Sequence, residues 1–198
     1  MSYSRFTIEE VEVKFDLNIN SAVFLPSIAP ISPSPGLAQS LERGLRLVKR
    51  SVSEKAKSEF IVAPLLLELE SLLIDKISLF SGDDFTVDRE LGLNGICDFL
   101  ISKSPAQLTI KAPVIAIVEA KKGVLKDGWG QCIAELVAAQ RFNCNRGQDI
   151  PIIYGIVTSG ILWQFMRLEN QTVTVEPDEY PLLPIDRILG ILHWLVEN

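Results

Sequence analysis

Two carboxylates and one ammonium stand out in this 198-residue chain: Asp98 in the segment ICDFLIS, and Glu119 and Lys121 at the end of VIAIVEAKK. The apolar run before Glu119 reads as a strand buried on both faces, and alternation along it predicts that Ile115, Ile117, Glu119 and Lys121 share one face. A charge at the end of a buried strand is costly to desolvate unless it is paired. Opposite charges at i and i+2 offset part of that cost, and a further group such as a metal ion offsets more. Asp98, among apolar neighbours in the preceding segment, adds a second carboxylate near the same strand end. Two acids without histidine or cysteine suit Mg²⁺ better than zinc, because Mg²⁺ takes a few carboxylates plus water and phosphate oxygens.

Periodicity indicates the elements that must position these groups. From Phe85 the pattern has a period of two: FTVDREL, the turn-like GLNG and ICDFLIS read as a β-hairpin, and the polar loop KSPAQLTIKAP leads into the strand ending at Glu119. LKDGWGQCIAELVAAQRFN then places Trp129, Ile133, Leu136 and Val137 on one helical face, with Gln131 and Glu135 one turn apart. IPIIYGIVT reads as a buried strand, ILWQFMRL and QTVTVEP as more exposed strands, and LPIDRILGILHWLVEN as a closing amphipathic helix after Pro184. Upstream of the hairpin, Leu37, Leu41, Leu45, Val48 and Val52 recur at steps of four and three, predicting a helix over residues 37 to 57. A second helix follows, with Ser58 as its cap, Pro64 in its first turns and a stripe of Leu66, Leu69, Leu73 and Ile77.

The N-terminus is ambiguous, since Val11, Val13 and Phe15 alternate like a strand while Thr7 and Glu10 make a capping-box pattern; a short helix is the expectation. Residues 25 to 36, LPSIAPISPSPG, read as an extended surface connector. Residues 1–36 are then an extension and connector, and 37–198 a single domain. The order predicts an α/β or α+β mixed sheet, with a crossover helix between the third and fourth strands.

Composition narrows the classes. With 47% hydrophobic residues and a mean hydropathy of +0.25, the chain can bury one sizeable core. Its longest apolar runs are broken by proline, glycine or charge before the length of a membrane span, and its start lacks signal-peptide features, so a soluble cytoplasmic protein is expected. Cys97, Cys132 and Cys144 form neither CxxC nor CxxH patterns, which argues against a disulfide framework or a zinc knuckle. A net charge of −6 and a pI near 4.9 lack the footprint of a broad basic surface and count against a DNA partner, although a local basic patch can sit within an acidic total.

Asp98, then twenty residues, then Glu119-Ala120-Lys121, in strand-strand-helix order, resembles the active-site signature of the PD-(D/E)XK nuclease superfamily, with its restriction-endonuclease-like core. The resemblance covers about residues 58 to 160. It implies that Asp98 and Glu119 bind Mg²⁺, or Mn²⁺ in its place, with Ala120 completing the metal set. It further implies that Lys121 orients or deprotonates the attacking water and stabilises the phosphorane. Many members carry a glutamate early in the helix before the hairpin, for which Glu59 is the better match and Glu68 or Glu70 poorer ones. Some branches add a glutamine on the helix after the triplet, here Gln131. Cys97 stands where the family name implies proline.

The implied activity is Mg²⁺-dependent hydrolysis of phosphodiester bonds in DNA, with Lys122, Lys126 and Arg141 as candidate phosphate contacts. A homodimer is the simplest way to cut both strands of a duplex with one site per chain. Plainer roles stand beside these: Glu119 and Lys121 as an ion pair at a sheet edge, Glu59 as the acid favoured at a helix N-terminus, Gln131 as a solvated helix residue, and His193 as structural. Two other functions remain open, a catalytically silent binding or assembly module of the same fold and an α/β domain binding a small anion.

Overall fold

The computed structural model describes residues 2–50, 53–105, 107–121 and 123–198. It is an α/β fold built on an eight-stranded mixed sheet. The strands are β1 (Asn18–Ser21), β2 (Ser78–Ser81), β3 (Phe99–Ser102), β4 (Val114–Ala120), β5 (Ile152–Thr158), β6 (Leu162–Glu169), β7 (Thr172–Val175) and β8 (Tyr180–Pro181). Their spatial order is β1-β7-β6-β5-β4-β3-β2, with β8 beside β6. The helices are α1 (Ile8–Phe15), α2 (Pro35–Val48), α3 (Glu54–Lys57), α4 (Ala63–Leu72), α5 (Trp129–Cys144) and α6 (Ile185–Glu197). Among the described residues no helix is long and apolar enough to cross a membrane.

Strands β2, β3 and β4 are antiparallel neighbours, whereas β4 and β5 run parallel and are joined through α5, the expected crossover helix. Each face of the sheet carries its own core. Val118, Phe99, Ile156 and Phe165 pack towards α2, α4 and α6. Ile117, Leu100, Val157 and Met166 pack towards α1 and α5. Helix α5 is buried nearly all round because it is covered on both sides. Its inner side lies on β4 and β5, and the N-terminal segment crosses its outer side so closely that a β-carbon on Gly130 would collide with the Phe6 carbonyl oxygen. The capping box of α1 forms as predicted: Glu10 N–H donates to Thr7 Oγ1 at 3.2 Å, and Thr7 N–H donates to the Glu10 carboxylate at 2.9 Å.

Several expectations change. The strand before β3 is SLFS, directly after α4, and not FTVDREL; residues 83–97 make only isolated bridges, Asp84 with Ile96 and Asp88 with Leu93. That ribbon is held by the Tyr3 hydroxyl, which donates to the Phe85 carbonyl at 2.5 Å. A register shift between Ile101 and Ser102 breaks the alternation of β4, so Ile115 joins the α2/α4/α6 core and leaves the face of Ile117 and Glu119. Strands β6 and β7 are buried, not exposed, because β1 pairs outside β7 and helices cover both faces.

The helix predicted over residues 37 to 57 ends at Val48, and Val52 lies outside the described residues. Ser53, not Ser58, caps the next helix, its Oγ accepting from Ala56 N–H at 3.4 Å. Residues Ser58–Val62 then form a π-turn, and Pro64 lies in the first turn of α4. Proline supplies no N–H to the carbonyl four residues back, that of Phe60. This is the carbonyl against which α2 packs, and a β-carbon on Gly44 would collide with its oxygen. Gly44→Ala should therefore overpack the α2/π-turn contact and cost about 1–3 kcal/mol, read as a lower midpoint in urea unfolding; an unchanged midpoint would show that the contact yields freely.

Candidate active site

The β3/β4 register pairs Phe99 with Val118 and so sets Asp98 beside Glu119 where the strands end. Asp98 ties three strands together there. Its Oδ2 accepts from Ala120 N–H at 2.8 Å, and its main-chain carbonyl accepts from Gly82 N–H, just past β2, at 3.0 Å. Glu119 is 2% exposed, and its Oε1 lies 2.7 Å from Lys121 Nζ. Lys121 Nζ also donates to Gln131 Oε1 at 2.9 Å, and Gln131 Nε2 donates to Glu135 Oε1 at 3.1 Å. A polar chain thus runs from β4 into α5, ending on a fully buried carboxylate. The turn before α5 passes close over it: a β-carbon on Gly128 would sit 2.8 Å from the Lys121 side chain and 2.9 Å from Val157.

Two oxygens of this chain are buried without a hydrogen-bond partner, Glu119 Oε2 and Glu135 Oε2. Burial, then the neighbouring Asp98 charge, pushes the Glu119 carboxyl up to about 8 against the opposing pull of Lys121. Burial likewise raises Asp98, more than the Ala120 N–H and Lys121 lower it. Glu135 is raised well above the ordinary range, first by burial and next by Glu119. For Lys121, burial works against the charge, but Glu119, Glu54 and Asp98 together outweigh it, so the ammonium is held above its usual value.

An open cleft of about 310 Å³ adjoins these groups, with Glu54, Ser58, Glu59, Gly82, Asp98 and Ala120 in its wall. Of the predicted site residues, Asp98, Ala120 and Glu59 border it, while Glu119, Lys121 and Gln131 stand behind Asp98 towards α5. Glu59 is exposed and 3.6 Å from Lys55. Glu54, which sequence reading passed over, is the acid of this helical region whose charge acts on Asp98, Glu119 and Lys121. Its signal was the SEKAK pattern, with Ser53 as the cap and Glu54 in the first turn. Glu68 has a structural task, accepting from Ser34 N–H and Oγ at 2.7 and 2.8 Å at the start of α2; Glu70 is not in the cleft wall. Lys126 lies 5.9 Å over the Trp129 ring, Arg141 is exposed in the last turn of α5, and Lys122 lies outside the described residues.

Among the described residues no group of three or more His, Cys, Asp and Glu side chains is arranged to hold a metal ion. What the strand ends offer is two adjacent carboxylates, one with an unpartnered buried oxygen, and the Ala120 main chain on the cleft wall. That donor set is too small for a closed zinc site. It fits Mg²⁺ or Mn²⁺, which complete their shells with water and phosphate oxygens.

Because Glu119 rises from an ordinary 4.5 to about 8 on folding, the folded chain holds a proton that the unfolded chain has released between these values. The resulting stabilisation is fully present below about 4.5 and is lost as pH rises through about 8. In EDTA, melting temperature should fall across this interval and Glu119→Gln should flatten the fall, with Asp98 and Glu135 supplying the remainder. A wild-type melting temperature that is constant or rising there would contradict the assignment.

Comparison with protein-family models, with curated proteins and with solved structures returned no match to the chain.

Proposed function

We propose that the chain is a Mg²⁺-dependent nuclease of the PD-(D/E)XK type with a restriction-endonuclease-like core, hydrolysing phosphodiester bonds in DNA. The observation that carries this reading is the state of Glu119: one oxygen held by Lys121, the other buried against the carboxyl of Asp98, so that two acids share one strand end. A carboxylate left that way costs stability as an element of the fold alone, and a shared cation would satisfy it. The antiparallel order β2-β3-β4, followed by α5 and parallel β5, also supports the reading.

Asp98, Glu119 and the Ala120 carbonyl are the groups that would hold the ion; when bound, it neutralises charge at the scissile phosphate and acidifies an attacking water. Lys121 has three N–H donors, two of them committed to Glu119 and Gln131. The third is free for a phosphate oxygen or the incoming water. Since surrounding acids keep this ammonium charged, it serves as a fixed positive charge facing the negative charge that develops on phosphorus. Gln131 prevents Lys121 from collapsing onto Glu119 alone, and Lys121, which can only donate, fixes which way the Gln131 amide points, turning its Nε2 towards Glu135 Oε1.

The test is cleavage of labelled DNA in Mg²⁺ or Mn²⁺, beside calorimetric metal binding. Asp98→Asn and Glu119→Gln should lose both. Lys121→Ala should keep metal binding while kcat falls about 10²–10³-fold, the usual cost of removing one electrostatic stabiliser. Neither metal binding nor cleavage in folded wild type would favour the silent module, the alternative to which the net charge of −6 lends support.

A further inference from the structure

Phe60 is the one exposed aromatic residue among the described residues; at 41% exposure it departs from every other Phe, Tyr and Trp of the chain. It lies in the π-turn Ser58–Val62, a rare element that adds a residue to the helical turn and is concentrated at functional sites. A groove of about 250 Å³ runs between this turn and α2, lined by Gln39, Ser40, Arg43, Leu47, Phe60 and Pro64. Glu59 belongs to the walls of both groove and active-site cleft, so the two are neighbours.

The sequence segment that carries the groove is basic within an acidic chain, while the groove wall itself sets Arg43 beside Glu59. Residues 43–59 contain six basic side chains, Arg43, Arg46, Lys49, Arg50, Lys55 and Lys57, against the two acids Glu54 and Glu59, within a protein of net charge −6. Arg46 is engaged by Glu42 at 2.7 Å, but Arg43, on the groove wall, makes no ion pair among the described residues. An uncommitted guanidinium suits a phosphate oxygen. A solvent-facing phenyl ring beside it suits the face of a base, and stacking of that kind is available only to bases not already stacked in a duplex.

We propose that this groove receives a single DNA strand, with an unpaired base stacked on Phe60 and a backbone phosphate on Arg43, and leads it into the cleft at Asp98. The proposal deepens the nuclease reading and rests on it for the cleft's role. It assigns single-stranded DNA, or a single-stranded overhang, as the substrate class.

Fluorescence anisotropy of the full chain in EDTA, with a labelled oligothymidylate of about 15 nucleotides and a duplex of equal length, tests it. Wild type should prefer the single strand. Phe60→Ala should weaken single-strand binding roughly tenfold or more with unchanged melting temperature, Phe60→Trp should restore it, and duplex binding should barely respond. Arg43→Gln should lower the slope of log affinity against log salt by about 0.7. Preference for duplex, or single-strand affinity untouched by Phe60→Ala, overturns the proposal even if the protein cleaves DNA. Binding that Phe60 controls, without metal-dependent cleavage, instead overturns the nuclease reading.

Discussion

The buried pair of Glu119 and Lys121 is the constraint around which the central sheet end is built. A carboxyl and an ammonium 2.7 Å apart, with the carboxyl side chain 3% exposed and the lysine 20%, cannot both be kept ionised by Coulomb attraction alone, because the desolvation cost rivals it and pushes the carboxyl up to about 8. The structure answers by adding partners in a line. Gln131 takes a second donor of the ammonium, Glu135 accepts from that amide, and Asp98 closes the sheet end through the Ala120 N–H. Each addition demands an element in place: β3 for Asp98, α5 for Gln131 and Glu135, and the close turn at Gly128 to cover the lysine. Helix α5 can bring polar groups so deep only because its outer side is sealed by the N-terminal segment over Gly130.

The opposite wall of the cleft follows another rule. Pro64 removes one N–H from the helical ladder, a π-turn absorbs the irregularity, and Gly44 allows α2 to close on the freed carbonyl. The same break in the helix turns Phe60 to solvent and sets Glu54 and Glu59 around the cleft. Buried polar order lies on one side, and an open groove with Phe60 and Arg43 in its wall on the other.

Long, strongly patterned segments were legible: the apolar run of β4, the helical face of α5, the run of β5 and the closing helix all stand where their periodicity predicts. The capping box of α1 was legible because its signal is two named residues three apart. Four-residue strands were not. SLFS follows a helix after only five residues and is itself only four long, while FTVDREL has the better strand pattern but is claimed by tertiary contacts, the Tyr3 hydroxyl among them. Strand β1, NINS, has one apolar residue, and only its pairing with β7 makes it a strand. In the candidate site, Asp98, Glu119 and Lys121 stood out as charges beside the end of an apolar strand, whereas Gln131 was named through the family resemblance alone. In the preceding helical region Glu59 was named and borders the cleft, whereas Glu54 was passed over because the helix is capped by Ser53 and not by Ser58.

If Glu119 holds a proton near neutral pH only for lack of a cation, metal and proton must compete for it. Calorimetric titration of Mg²⁺ or Mn²⁺ near neutral pH, in two buffers of different ionisation enthalpy, reads binding and proton release together. The account predicts binding accompanied by release of protons, with both lost in Glu119→Gln. No binding, or binding whose heat is the same in both buffers and survives Glu119→Gln, would contradict it.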